Sequence, residues 1–179
     1  MKKINIILLI FLSFASICDI KAQTTKENKI NWISFEEAVK LNETSPKKIF
    51  IDVYTDWCGW CTKMDQTTFT DPEIVDYMNE NFHAVKFNAE QTDSIIFNGH
   101  TFVNKNPNGA RKGTHELAQA LLQGKMSYPS YVFMNEKNQL VTIVPGYVEA
   151  KTFLPILKYF GTDAFLTKSW EDFSKTQTQ

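Results

Sequence analysis

The chain has little of what several function classes require. It lacks a basic excess, since 19 lysines and arginines stand against 20 aspartates and glutamates. The charge balance therefore points neither to nucleic acid nor to an anionic membrane. It has only three cysteines, whereas a small exported fold stapled by disulfides carries four or more, widely spaced. His83, His100 and His115 are its only histidines and none is at paired spacing near a cysteine. A zinc site, which wants four ligands, finds no support there, and each histidine reads as a surface or packed residue. There is no internal repeat, no low-complexity tract, and no apolar run of the roughly 20 residues needed to cross a bilayer as a helix.

What is present begins at the N-terminus. Lys2 and Lys3 precede an apolar stretch from Ile4 to Ile17, interrupted by Asn5, Ser13 and Ser16 and closed by Asp19 and Lys21. With Ala22-Gln23 as cleavage point, residues 1–22 have the layout of a secretory signal peptide. A retained membrane anchor is the alternative. Lipid attachment at Cys18 is another, disfavoured by Ile17 where a small side chain is wanted. Residues 1–22 hold three lysines and one aspartate, so their removal leaves 16 basic and 19 acidic side chains and a formal charge of −3. Cys18 leaves as well. Cys58 and Cys61 remain, a weak staple but a useful reagent.

Residues 23–33 read as a flexible lead-in, followed by a domain over 34–162 and a tail helix within 163–179. Ser34 and Glu37 suggest a capping box at the start of a helix reaching Leu41. Asn42-Glu43-Thr44 matches the N-glycosylation pattern, a signal short enough to arise by chance. Ile49 to Tyr54 is β-rich and apolar on both faces apart from Asp52, as in a central buried strand. A helix is predicted from about Cys58 past Met64, and another from Asp71-Pro72, with Ile74, Val75 and Met78 on its apolar side. Phe82 to Phe87 reads as a strand. Residues 91–112 read as a long loop, where Phe97, Phe102 and Val103 either cover the domain's own core, the favoured reading, or form a partner surface. Thr114 opens a helix that Gly124 stops. Tyr131–Met134 and Leu140–Val144 form two strands joined by a turn at 136–138. Glu149 to Phe160 is the last long helix, with Pro155 expected to kink it. Helical and strand segments thus alternate before two consecutive strands and a final helix. That order predicts an α/β fold, a mixed sheet with helices on both faces.

The chemistry concentrates at Cys58 and Cys61. A cysteine at a helix N-terminus meets unpaired backbone N–H groups and the positive end of the dipole, which favour its thiolate. Two intervening residues put the second sulfur one turn away, within reach of a mixed disulfide. Cys58 is then the nucleophile and Cys61 the resolving thiol. Trp57 limits solvent around the sulfur, while Trp60 suits either the site or the core. Asp52, with apolar neighbours on both sides, is expected to be buried.

At this point the sequence resembles the thioredoxin family, over roughly residues 34 to 162. Ile51-Asp52-Val53-Tyr54-Thr55-Asp56-Trp57-Cys58-Gly59-Trp60-Cys61 is similar to the family's strand-to-helix active-site segment. The resemblance implies a thioredoxin-like fold in which Asp52 is the buried aspartate six residues before the first cysteine. Such a carboxylate has a raised pKa and can exchange a proton with the resolving cysteine. It further implies that Lys86 approaches Asp52, that Tyr128-Pro129 is the cis-proline loop facing substrate, and that Gly146 admits substrate backbone. The spacer Gly59-Trp60 departs from glycine-proline, and family potentials span roughly −270 to −120 mV. Lys63-Met64, Thr68-Phe69 and Asp71-Pro72 resemble the exported branch, which includes the C-terminal domain of the membrane thiol:disulfide interchange reductase.

The expectation is an exported, periplasmic or envelope protein-disulfide reductase. It would act on disulfide-containing proteins, draw electrons from a membrane or envelope donor, and need no metal or organic cofactor. A disulfide oxidase or isomerase keeps the chemistry and reverses its direction. A peptide-binding or chaperone module on the same scaffold is the alternative from another class.

Overall fold

Side chains that alternate between two apolar clusters make β2 (Lys48–Tyr54) the centre of the molecule. Ile49, Ile51 and Val53 enter one cluster and Phe50 the other, as the period of two dictates. The computed structural model describes residues 29–109 and 113–177. In it β2 pairs in parallel with β3 (Phe82–Asn88) and antiparallel with β6 (Ser130–Met134). β1 (Trp32–Ile33) joins β3 in parallel and β7 (Leu140–Pro145) joins β6 antiparallel, giving the order β1-β3-β2-β6-β7.

The sheet is mixed and covered on both faces. On one, α1 (Phe35–Leu41) and α4 (Glu116–Leu121) bring Phe35, Ala38, Leu117, Ala118 and Leu121 against Ile49, Ile51 and Val53. On the other, α2 (Gly59–Gln66), α3 (Pro72–Asn81) and α5 (Ala150–Gly161) bring Met64, Ile74, Val75, Met78, Phe153 and Leu157 against Phe50. Rings of Trp32, Phe69, Phe82, Tyr131, Phe133 and Phe153 surround Phe50 with centroids 5.3–6.2 Å away. Truncating Phe50 to alanine removes the hub of this cluster, a change that costs about 3–5 kcal/mol in such cores.

The helix starts follow local chemistry. Ser34 Oγ accepts the Glu37 N–H at 3.1 Å, and Asp71 Oδ1 accepts those of Glu73 and Ile74, with Pro72 in the first turn. Pro155 lies inside α5.

Several expectations change. Trp32 and Ile33 are a strand rather than lead-in, because β3 offers them an open parallel edge at Ala84 and Val85. The stretch 91–112 contains a hairpin of β4 (Ile95–Phe97) and β5 (His100–Phe102), and Phe97 and Phe102 pack on the core. The cap of α4 is His115, not Thr114. Its Nδ1 accepts the Leu117 N–H at 3.1 Å, while Nε2 lies 3.0 Å from the Asp93 carbonyl, so this wholly buried histidine ties the hairpin segment to the helix. The tail divides into a 3-10 turn at Ala164–Leu166 and α6 (Trp170–Gln177). Asn42 is buried and its amide donates to Asn138 Oδ1, so the glycosylation pattern falls on an engaged side chain. The expected signal peptide, Cys18 and most of the lead-in lie outside the described residues. No helix among the described residues is long and apolar enough to cross a membrane.

Candidate active site

β2 runs out at Tyr54, and the turn that follows is closed by the Cys58 N–H donating to the Thr55 carbonyl at 3.1 Å. Cys58 is thereby delivered to the N-cap of α2. Its Sγ accepts the Cys61 N–H at 3.1 Å and is bonded to Cys61 Sγ, with Cα atoms 5.3 Å apart. Both cysteines are largely buried. This backbone N–H and the helix dipole face the Cys58 sulfur, and both would favour negative charge there once the disulfide is reduced.

Asp52 shares a sheet face with Phe50 and so lies on the α2 side of the sheet. It is fully buried, and burial pushes its carboxyl up to about 6 despite the opposing Lys86 ammonium. Lys86, its neighbour in the β2–β3 register, reaches Asp52 Oδ2 at 2.7 Å and also pairs with Asp65 of α2. Burial alone would lower the Lys86 pKa, but the two carboxylates outweigh it and hold it above the usual lysine value. The rings of Tyr54, Trp32 and Phe69 lie 5.0, 5.2 and 5.4 Å from Nζ, close enough for cation–π attraction. A pocket of about 350 Å³ lined by Ile30, Trp32, Asp65, Phe69 and Lys86 flanks this group. Asp52 Oδ1, Thr55 Oγ1 and the hydroxyl of Tyr131, opposite Asp52 on β6, are buried without a hydrogen-bond partner among the described residues. Unpaired oxygens of this kind make a charged Asp52 costly.

The Tyr128–Pro129 peptide is cis. The Pro129 carbonyl accepts the Gly146 N–H at 2.8 Å, and Gly146 has φ +94, a conformation that suits glycine. Trp57 and Trp60 are both exposed. Trp57 donates from Nε1 to Glu90 Oε1 at 2.8 Å and meets Tyr128 edge-on at 5.8 Å. Trp60 leans on Tyr147 at 5.2 Å, so it belongs to the site's surface and not to the core. A Cβ on Gly59, the first residue of α2, would meet nothing within 4 Å.

The thioredoxin-like domain family matches residues 35–161. The chain belongs to that family. This thioredoxin-like chain is similar to spermatogenesis-associated protein 20 of Rattus norvegicus, 30% identical over 83 residues, 46% of this chain and 10% of that protein. It is also similar to the thiol:disulfide interchange protein DsbD of Haemophilus ducreyi, 43% identical over 35 residues, 20% of this chain and 6% of that protein. It thus spans about a tenth or less of the length of these relatives. A solved thioredoxin-fold protein from Helicobacter pylori superposes with TM-score 0.56 at 20% identity, over 87% of this chain and 91% of that one. That likeness concerns the fold.

Within this thioredoxin-like frame, Cys58 and Cys61 are bonded at the start of α2, Lys86 pairs with Asp52 and with Asp65 of the same helix, and Trp57 meets Tyr128. Sequence reading missed Asp65, Glu90, Tyr147 and Trp32. Asp65 was accessible, since it follows Cys61 by four residues and so shares a helix face with it. Glu90, Tyr147 and Trp32 arrive through tertiary packing, which no local spacing announces. Among the described residues no cluster of histidine, cysteine and acidic groups could hold a metal ion.

Proposed function

We propose that this thioredoxin-like protein is an exported thiol–disulfide oxidoreductase that reduces or exchanges disulfides of other proteins. The observation that carries this reading is the Cys58 sulfur at the N-cap of α2, receiving the Cys61 amide and bonded to Cys61, with buried Asp52 on the same side of the sheet.

In the reduced enzyme the Cys58 thiolate attacks a substrate disulfide. One substrate sulfur leaves as a thiolate, which takes a proton from solvent, and the other forms a mixed disulfide with Cys58. Asp52 as carboxylate takes the proton of Cys61. Cys61 then attacks Cys58 Sγ, restoring the internal disulfide and releasing the second substrate thiol. Two electrons have moved to substrate, and a dithiol donor of the membrane or envelope returns them. Trp57, Gly59, Trp60 and Lys86 support this centre, and Tyr128 and Pro129 contact substrate. Export rests on the signal-like residues 1–22.

Insulin-disulfide reduction, driven by a dithiol, tests the assignment. Cys58→Ser should abolish it, and Cys61→Ser should accumulate mixed disulfides. A Cys61→Ser enzyme that turns over normally refutes the assigned roles. Equilibration with glutathione gives the direction, with a potential near −270 mV supporting reduction and one near −120 mV supporting oxidation.

A further inference from the structure

The catalytic steps make no use of Thr68 and Phe69, which follow α2. They lie in one 3-10 turn, Thr68–Thr70, closed by the Thr70 N–H on the Thr67 carbonyl at 3.2 Å. Phe69 meets Phe50, Tyr131 and Phe153 with ring centroids 5.9–6.2 Å apart, so the turn is seated in the core. Thr68 is wholly buried, and its hydroxyl donates at 2.8 Å to the carbonyl of Val148, 80 positions along the chain. Val148 lies between β7 and α5, two residues past Gly146, whose N–H the Pro129 carbonyl holds at 2.8 Å. Gly146 to Val148 is therefore a strap with one end on Pro129 and the other on the turn that ends the cysteine helix. A valine would fill the space of Thr68 with no hydroxyl to desolvate. Packing alone holds a segment without direction, whereas a hydrogen bond fixes distance and angle.

We infer that Thr68 is a positioning residue that sets this strap, and through it the Pro129 loop, at a fixed distance from the helix carrying Cys58 and Cys61. The inference deepens the oxidoreductase reading and rests on it. Thr68 touches neither sulfur nor substrate. In that reading a protein substrate lies against Pro129 while its sulfur aligns with Cys58, so the gap between loop and helix decides how often the two sulfurs meet in line. Without the hydroxyl, the Val148 carbonyl loses its donor and the strap is free to shift on the helix. The Cys58 end of α2 keeps its own contacts, the Cys61 N–H and the Thr55 carbonyl. A small disulfide, which needs no support from Pro129, therefore escapes the effect that a protein disulfide suffers.

The experiment mixes the reduced protein with insulin or with hydroxyethyl disulfide. Loss of the Cys58 and Cys61 thiols, read by acid quench, alkylation and mass spectrometry, gives a second-order rate constant for each. Thr68→Val should slow the reaction with insulin about tenfold, the size of one lost hydrogen bond, and that with hydroxyethyl disulfide by less than about twofold. Thr68→Ser, which keeps the hydroxyl, should return the insulin rate to within about twofold of wild type. Thr68→Ala should repeat the valine pattern, and it carries the test if the valine variant does not fold. Ile74→Val, which removes a methyl group from the core that holds Phe69, should leave both rates unchanged. Equal slowing with both disulfides, a serine variant as slow as the valine one, or a wild-type insulin rate without the hydroxyl overturns the positioning role and leaves the oxidoreductase reading in place. A wild-type protein that reacts with neither disulfide overturns that reading and the positioning role with it.

Discussion

Lys48 and Lys86 each sit between two carboxylates, near opposite ends of the β2–β3 pair, yet burial falls on different partners. Lys48 Nζ lies 2.6 Å from Glu136 and 2.9 Å from Asp163, with the lysine side chain 8% exposed and the two acids 43% and 47%. Around Lys86 the buried member is an acid. Asp52 is 1% exposed, against 21% for Lys86 and 42% for Asp65. In the first cluster the acids stay in solvent, and Lys48 holds Glu136 below the usual glutamate range although desolvation opposes it. In the second, desolvation wins over Lys86 and Asp52 rises to about 6. The same three charges thus make a clamp at one end and a carboxyl raised to about 6 at the other. What decides is which side chain the sheet buries.

The largest effect is expected at Asp52. Its folded pKa is raised from 3.8 to about 6, so the folded state binds more protons than the unfolded one between those values, and stability falls as pH rises through that window. Asp52→Asn should therefore stabilise the protein by about 3 kcal/mol at pH 7, with the gain vanishing near pH 4, as read by urea denaturation at the two pH values. Mixed-disulfide resolution by the wild-type protein should rise as pH passes about 6, and the same variant should lose that rise. Lys86→Met comes next. It removes the charge that opposes desolvation, so the inflection in resolution rate should move above the wild-type position in a stopped-flow pH series. An unchanged inflection would mean that Asp52 does not set it.

The clamp end should answer differently. Lys48→Met should cost about 1 kcal/mol at pH 7, small because both acidic partners are screened by solvent, and should leave resolution kinetics alone. The folded Glu136 pKa is depressed, so its share of the stability is present above the ordinary glutamate value and lost as pH falls through the folded one. The penalty of Lys48→Met should accordingly fade in acid, where wild type and variant should give the same urea midpoint.

Much of this contrast could be read from local chemistry. Asp52 between apolar neighbours on a central strand predicts burial, and Cys58 before a helix predicts a sulfur at its N-terminus; the structure has both. Lys86 was placed by resemblance of its strand. The clamp was not foreseen, because Glu136 and Asp163 are 88 and 115 residues from Lys48, and no periodicity links them. The β4–β5 hairpin was overlooked although its signal was present. Asn98 and Gly99 both have positive φ, as a two-residue hairpin turn requires, and they lie between β-branched and aromatic residues. β1 is two residues long, too short for alternation to register. His115 escaped because histidine is not among the usual helix caps; its place follows from packing against Phe87 and the Asp93 carbonyl.

The finest test of the comparison is Asp65. It contributes to the Asp52 environment in two ways that act together. Its negative charge raises the Asp52 pKa directly, and its bond to Lys86 divides that ammonium between two carboxylates. Asp65→Asn removes the repulsion and leaves Lys86 more fully to Asp52, so both changes lower the Asp52 pKa. Since Asp65 is half-exposed and solvent screens it, the shift should be smaller than that of Lys86→Met and opposite in sign. The resolution inflection should therefore move slightly to acid of its wild-type position. A shift upward would mean that Asp65 acts chiefly by holding Lys86 in place, and that the second cluster is a clamp in the same sense as the first.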